Sequence, residues 1–455
     1  MGRRLILAPV LAMAAACASA ATQDTPAVTP QGLAAAWDAE HVRQPPPPLL
    51  VHADVERRLR EVERGSPDLF SLEAIGRSVE GRSINHLRFG TGPFPVLLWS
   101  QMHGDEPTAT GALFDVFEFV RRHRRDPAVQ RMLAALTVHA VPMLNPDGAE
   151  RYSRRNAQGI DINRDALMLQ TPEGRALKAL RDRLEPRIGF NLHNQSWRTS
   201  VGDTCRPATI SLLSVAYDEA RSVDEGRLLT KKTAAVIRDA VETFAPGQVA
   251  KYDDSFEPRA FGDNVTKWGT PVVLIETGAW PGGDVDRHLV RLNFIAIVTA
   301  LDALASGRVH DADPGRYDSL PMNGSGSLHT LLRRATVVTG TGVDPFTADV
   351  GIVGQRVVRN VNGARTLLMQ TRIDEFGDLS TFGAMEVVEA EGLTVAPLYD
   401  ASIAAGQTIT LPADWTAAKP PNTVAPGQPA DLLLLRPGTA AGTYRVERVF
   451  RNEAR

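Results

Sequence analysis

The 455 residues carry a formal net charge of −3 with acidic and basic side chains interspersed, which argues against nucleic acid as a partner. Hydrophobic residues make up 43% of the chain, enough for packed cores, and its length exceeds what one core usually holds. One large and one smaller domain are expected. The only cysteines, Cys17 and Cys205, rule out a disulfide scaffold.

Residues 1–20 place Arg3 and Arg4 before an apolar stretch at 5–16 and end in Ala18-Ser19-Ala20, the pattern of a secretory signal cleaved after Ala20. That stretch is shorter than the roughly 20 apolar residues a membrane span requires, so no transmembrane span is expected. Cys17 offers lipid anchoring as a second route, although Ala14-Ala15-Ala16 lacks the usual leucine. Either route places the mature chain outside the cytoplasm, periplasmic or secreted. Residues 21–48, rich in Ala and Pro and ending in four prolines, read as an extended linker.

Ordered structure is expected from Leu49. A helix is expected over 51–63, then two short strands between 71 and 87, turning at Glu80-Gly81. Apolar strands and amphipathic helices then alternate: strands at 94–100, 136–143, 188–192, 209–214 and 270–275, helices at 108–122, 172–184, 225–244 and 285–305. This alternation implies an α/β domain over 49–306, a mixed and mostly parallel sheet flanked by helices. Residues 311–455 are rich in Val, Thr, Gly and Pro, with seven short candidate strands, and read as a β-rich accessory domain, a sandwich or small barrel.

Three segments of the larger domain gather chemistry. Gln101-Met-His-Gly-Asp-Glu-Pro107 puts His103 and Glu106 on the turn leaving a buried strand, where ligand sites of open α/β sheets collect. His193 ends another strand, and two histidines with one glutamate suit zinc with a coordination position left open. Glu276 also ends an apolar strand, where a carboxylate can move a proton to and from a reacting group. Between them, Asn145-Pro-Asp-Gly148 and the loop carrying Arg154, Asn156, Asp161, Asn163 and Arg164 bring guanidinium groups suited to gripping a carboxylate.

The ordered set His103-x-x-Glu106, Asn145-Pro-Asp-Gly148, Arg154-x-Asn156, Asn163-Arg164, His193 and Glu276 resembles the zinc carboxypeptidases of the carboxypeptidase A-like family, across about half the chain. The resemblance implies one Zn2+ per chain held by His103, Glu106 and His193. It implies Glu276 as general base and proton shuttle toward zinc-activated water, and Arg154 as the oxyanion's partner. Asn163 and Arg164 would hold a peptide's free C-terminal carboxylate, and Tyr252 lies in the stretch of the family's mobile tyrosine, although 251–263 does not align with it. Asp105 and Asn191 depart from residues common in the family at those positions. The activity implied is hydrolysis of the C-terminal peptide bond. An amidohydrolase acting on N-acyl amino acids or cell-wall peptides fits the same residues, and a non-catalytic binding module is a third reading.

Overall fold

The computed structural model describes residues 28–340, 343–411 and 423–453. The leader expected at 1–20, with Cys17, lies outside the described residues, as does the start of the expected linker. The extended spacer does not continue through 48: helix α1 (Pro30–Glu40) occupies its middle. Thr29 caps the helix by accepting from the Gly32 N–H, Pro30 sits in the first turn, and Leu33, Ala34 and Trp37 are buried. The apolar spacing of Leu33 and Trp37 marks one helix face. The proline bias misled because those prolines lie at the helix start or beyond its end. Asp115 fastens the segment by accepting from Trp37 Nε1 at 2.7 Å and from the Val42 N–H at 2.6 Å.

Helix α2 (His52–Gly65) leads into the hairpin β1 (Phe70–Arg77) and β2 (Ser83–Phe89). The chain continues through β3 (Phe94–Ser100), α3 (Thr108–Arg122), α4 (Pro127–Ala135), β4 (Leu136–Val141), α5 (Pro146–Arg151), α6 (Pro172–Leu184), β5 (Ile188–Asn194) and the two-residue β6 (Ser200–Val201). There follow β7 (Ile210–Ser214), α7 (Glu225–Glu242), β8 (Val249–Lys251), α8 (Phe261–Lys267), β9 (Val272–Thr277) and α9 (Val285–Ser306). Periodicity located the long elements to within a few residues. It missed α4, α5, α8 and β8, which are too short to show a repeat.

Eight strands form one sheet in the order β1-β2-β4-β3-β5-β9-β7-β8. Its centre, β4-β3-β5-β9, is parallel, as strands covered by helices on both faces should be. The fold is thus a mixed, mostly parallel sheet flanked by helices. From β3 the chain builds β4 on one side and later β5 on the other, so a crevice opens beyond the carboxyl ends of β3 and β5. Helix α9 is apolar enough to cross a membrane, but 78% of its most apolar window is buried against the rest of the protein, as expected of a core helix.

The β-rich region begins later than Asp311. Tyr317 on α10 (Gly315–Asp318) is buried in the first domain's core, where its hydroxyl accepts from the Ser214 N–H at 2.9 Å, and β10 (Asn323–Gly324) pairs with β6. Beyond it, β11 (Ser327–Val337), β12 (Phe346–Val361), β13 (Ala364–Gly377), β14 (Gly383–Glu389), β15 (Thr394–Pro397), β16 (Thr408–Thr410), β17 (Leu432–Pro437) and β18 (Thr443–Phe450) form a second eight-stranded sheet. It has its own core, including Leu332, Val350, Ile373 and Val395. The long hairpin β12–β13 turns on Asn362-Gly363, with φ of 51° and 83°, the dipeptide that a two-residue turn with two positive φ angles demands.

On the first sheet, His86 Nε2 and His139 Nδ1 lie 2.9 Å apart with their rings stacked, and His86 Nδ1 is 3.1 Å from Glu73. Burial lowers both pKa values, that of His139 to about 3, where His86 and Arg88 add to the effect. Both rings therefore fold neutral, whereas the unfolded chain takes up protons near pH ~6.5. Their stabilising contribution is complete above that pH and is lost as pH falls towards 3. Calorimetry should show Tm falling between about pH 7 and 4.5, by up to roughly 1 kcal/mol of stability per pH unit, and His139→Asn should flatten that fall. An equally steep fall in the variant would contradict the assignment.

Candidate active site

The turn after β3 is shaped by close backbone approach. Gln101 adopts φ 53°, held by its Nε2 donating to Gly104 O at 2.9 Å and its Oε1 accepting from Thr110 Oγ1 at 2.9 Å. At Gly104 a Cβ would stand 2.0 Å from the Gly148 carbonyl carbon, so only glycine lets the two loops touch. Asn145 ties them further: its Oδ1 caps α5 by accepting from the Gly148 N–H at 2.9 Å, and its Nδ2 donates to Met102 O at 3.2 Å. Asp147 is fully buried and accepts from Ser78 Oγ, the Glu80 N–H and Arg82 Nη1 at 2.7, 3.0 and 2.7 Å, which docks the β1–β2 turn. Asn156 Oδ1 accepts from the N–H groups of Gln158 and Ile160, shaping the loop that returns to the crevice.

This scaffold brings three side chains together. Ligand atoms of His103, Glu106 and His193, all buried, lie within 4.8 Å of one another. His103 Nδ1 is 2.8 Å from Glu106 Oε1, and His193 Nδ1 is 2.6 Å from Glu106 Oε2. On its far side, His103 Nε2 lies 3.0 Å from Asp161 Oδ1, an acceptor suited to the Nε2–H tautomer. A neutral His103 then turns the Nδ1 lone pair towards a carboxylate, an arrangement that calls for a cation between them. Charge can instead be supplied by a proton: burial opposes it, but Glu106 and Asp161 raise the His103 pKa to about 9. Glu106 is held well below the usual carboxylate range, because His103 and His193 outweigh the burial that would raise it. Burial pushes His193 down, and its Nε2 has no hydrogen-bond partner. Two imidazoles and one carboxylate, buried and convergent, fit a metal ion with a position left for water or substrate.

Around this centre the other expected residues fall into two groups. Glu276 on β9 is the direct register partner of His193 on β5. Its Oε2 is buried without a hydrogen-bond partner, and burial first, then the charge of Glu106, raise its pKa well above the ordinary value. Arg154 reaches the cluster: Nη1 is 3.3 Å from Glu106 Oε1 and 3.1 Å from His103 Nδ1, and Nε donates to Asp161 Oδ2 at 3.0 Å. Asn163 and Arg164 stand off to the side of α8. Asn163 Oδ1 accepts from the Phe261 N–H at 2.8 Å, and Arg164 Nε is 3.6 Å from Glu257 Oε2. Tyr252 is 38% exposed, and desolvation together with the charges of Glu276 and Glu106 raises its phenol pKa.

Asp161 had no role in the sequence reading. It orients both His103 and Arg154, and its own pKa is depressed because His103 and Arg154 overcome its burial. The signal was present: a carboxylate within a loop otherwise offering donors, two residues before Asn163. Asn191 lies buried beneath His193 on β5, and neither of its side-chain polar atoms has a hydrogen-bond partner.

Residues 55–186 match the family model described as zinc carboxypeptidase. The chain is 32% identical over 134 residues to carboxypeptidase E of Caenorhabditis elegans, covering 25% of this chain and 28% of that protein. It is 27% identical over 354 residues to carboxypeptidase D of Mus musculus, covering 64% of this chain and 24% of that one. The chain thus spans less than a third of the length of either relative. A metallo-carboxypeptidase from Burkholderia cenocepacia superposes with a TM-score of 0.44 at 18% identity, over 55% of this chain and 69% of that one. The family whose pattern this chain carries over residues 55–186 is that of the zinc carboxypeptidases.

Proposed function

We propose that this protein is a zinc metallocarboxypeptidase that hydrolyses the C-terminal peptide bond of peptides. The observation that carries the reading is the His103, Glu106 and His193 cluster with an unpartnered Glu276 carboxylate directly across from His193. Zinc in such a cluster lowers the pKa of water and polarises a carbonyl.

The chain's own residues would do the rest. Glu276 has no fixed hydrogen bond at Oε2 and a raised pKa, properties suited to accepting a proton from the attacking water and handing it to the departing nitrogen. Arg154 lies at the edge of the cluster, where its guanidinium would meet the negative charge that develops on the carbonyl oxygen. Asn163 and Arg164 would grip the terminal carboxylate, after Arg164 turns from Glu257, and Tyr252 would close over the substrate. The leader pattern at 1–20 supports a periplasmic or secreted location. A zinc amidohydrolase is the second reading, because N-acyl amino acids and cell-wall peptides present the same free carboxylate to Asn163 and Arg164.

Mass spectrometry of a mixed peptide pool, each peptide as free acid and as C-terminal amide, separates the two. We expect ladders losing one residue at a time from the free acids alone. Intact peptides alongside cleaved acyl-amino acids or muropeptides would instead establish the amidohydrolase. Glu276→Gln should lower kcat by about 10^2- to 10^4-fold without releasing zinc, and undiminished turnover would exclude Glu276 as the base. Asp161→Asn should weaken zinc binding by about 10- to 100-fold in a chelator competition, since it removes the acceptor that orients His103. Unchanged affinity would mean that Asp161 serves Arg154 alone.

A further inference from the structure

The two domains meet beside the metal cluster, and the contact is built from arginines. Arg356 on β12 pairs through both guanidinium nitrogens with Asp286 in the first turn of α9, at 2.7 and 2.5 Å, and lies over the Trp197 ring at 5.4 Å. Arg365 on β13 donates to Ala149 O at 2.8 Å at the end of α5. Arg198, in the loop after β5, pairs with Asp374 on β13 at 2.8 Å. These charge-assisted bonds fix the long β12–β13 hairpin onto the catalytic domain in one orientation.

Under the hairpin lies a cavity of about 320 Å³. Its walls combine Asp105, Glu106 and Asn194 from the metal turn and the end of β5 with Trp197, Gln355 and Arg356. Glu106 belongs to both the cavity and the metal cluster, so the cavity lies directly beside that cluster. Arg356 is already neutralised by Asp286. Asn163, Arg164 and α8 do not line this cavity. On the carboxypeptidase reading, on which this inference rests, they hold the substrate's carboxyl end, which leaves the cavity for its amino side.

Gly354, Gln355 and Arg356 of the hairpin form one wall of this cavity, so a longer peptide would have to pass them. The volume is at the small end of the ~300–1,000 Å³ typical of small-molecule pockets. We propose that the β12–β13 hairpin of the C-terminal domain closes the amino side of the cleft, making this a peptidase selective for peptides of very few residues. The C-terminal domain is thereby a part of the substrate site. Gln355 and Trp197 set the limit of length by their bulk, and Arg356 by holding the strand in place.

The test uses the full zinc-loaded chain and a series of two to eight residues sharing their last two residues, chosen from a pair that the mixed pool shows to be cleaved. The native protein should show kcat/KM dropping by about tenfold or more between the shortest substrates and the longest. In Arg356→Ala and in Trp197→Ala the ratio of long- to short-peptide kcat/KM should rise towards one. Binding of the same series to zinc-loaded Glu276→Gln, read by calorimetry, should follow the same length dependence and does not rely on turnover. Equal kcat/KM across the series, or a ratio unmoved in both folded variants, would overturn the role of the hairpin while leaving the peptidase reading intact. A mixed pool in which no peptide is cleaved would overturn the peptidase reading and the inference with it.

Discussion

The arrangement around Glu106 is the constraint on which the rest depends. A carboxylate buried between two imidazoles is costly unless positive charge accompanies it. Arg154 reaches Glu106, but its guanidinium is shared with Asp161. His103 faces Asp161 through Nε2, and its inward-facing Nδ1 faces Glu106 and the Arg154 guanidinium. The loops around it are correspondingly rigid. Gln101 sits at positive φ, Gly104 and Gly148 touch backbone to backbone, and buried Asp147 and Asn145 tie the supporting turns. Strain and buried polar groups of this kind persist where surrounding contacts over-determine them.

The sheet explains why residues so distant in sequence converge. His103 and Glu106 follow β3, His193 ends β5, and Glu276 ends β9; the three strands are neighbours and parallel, so their carboxyl ends lie at one edge. Register then does fine positioning, since pairing His193 with Glu276 sends both side chains to the same face. Helix α9 braces the sheet from behind and offers Asp286 in its first turn as the anchor for the second domain. A single structural element therefore links the core, the cleft and the accessory sheet.

Much of this was legible in the sequence for a physical reason. Long apolar strands and helices announce themselves by period, and candidate site residues at strand ends announce themselves by being polar where an apolar run stops, as His103, His193 and Glu276 are. What stayed hidden depended on tertiary contact. The helix at 30–40 owes its place to the burial of Trp37 and its bond to Asp115, which composition does not report. Asp161 gains its role only once the loop folds back on His103. The start of the β-rich region was misplaced because Tyr317 and Asn323, despite following α9, complete the first domain. The Asn362-Gly363 turn was open to reading, but not where the hairpin it closes would land.

Zinc titration into metal-free protein, followed by calorimetry and metal analysis, tests the central point most directly. One zinc per chain should be retained after dialysis and Tm should rise with zinc concentration, whereas Glu106→Gln should retain none and show no rise. A native protein that keeps no zinc and melts at the same temperature with and without it would contradict the claim that this buried cluster is built around a cation.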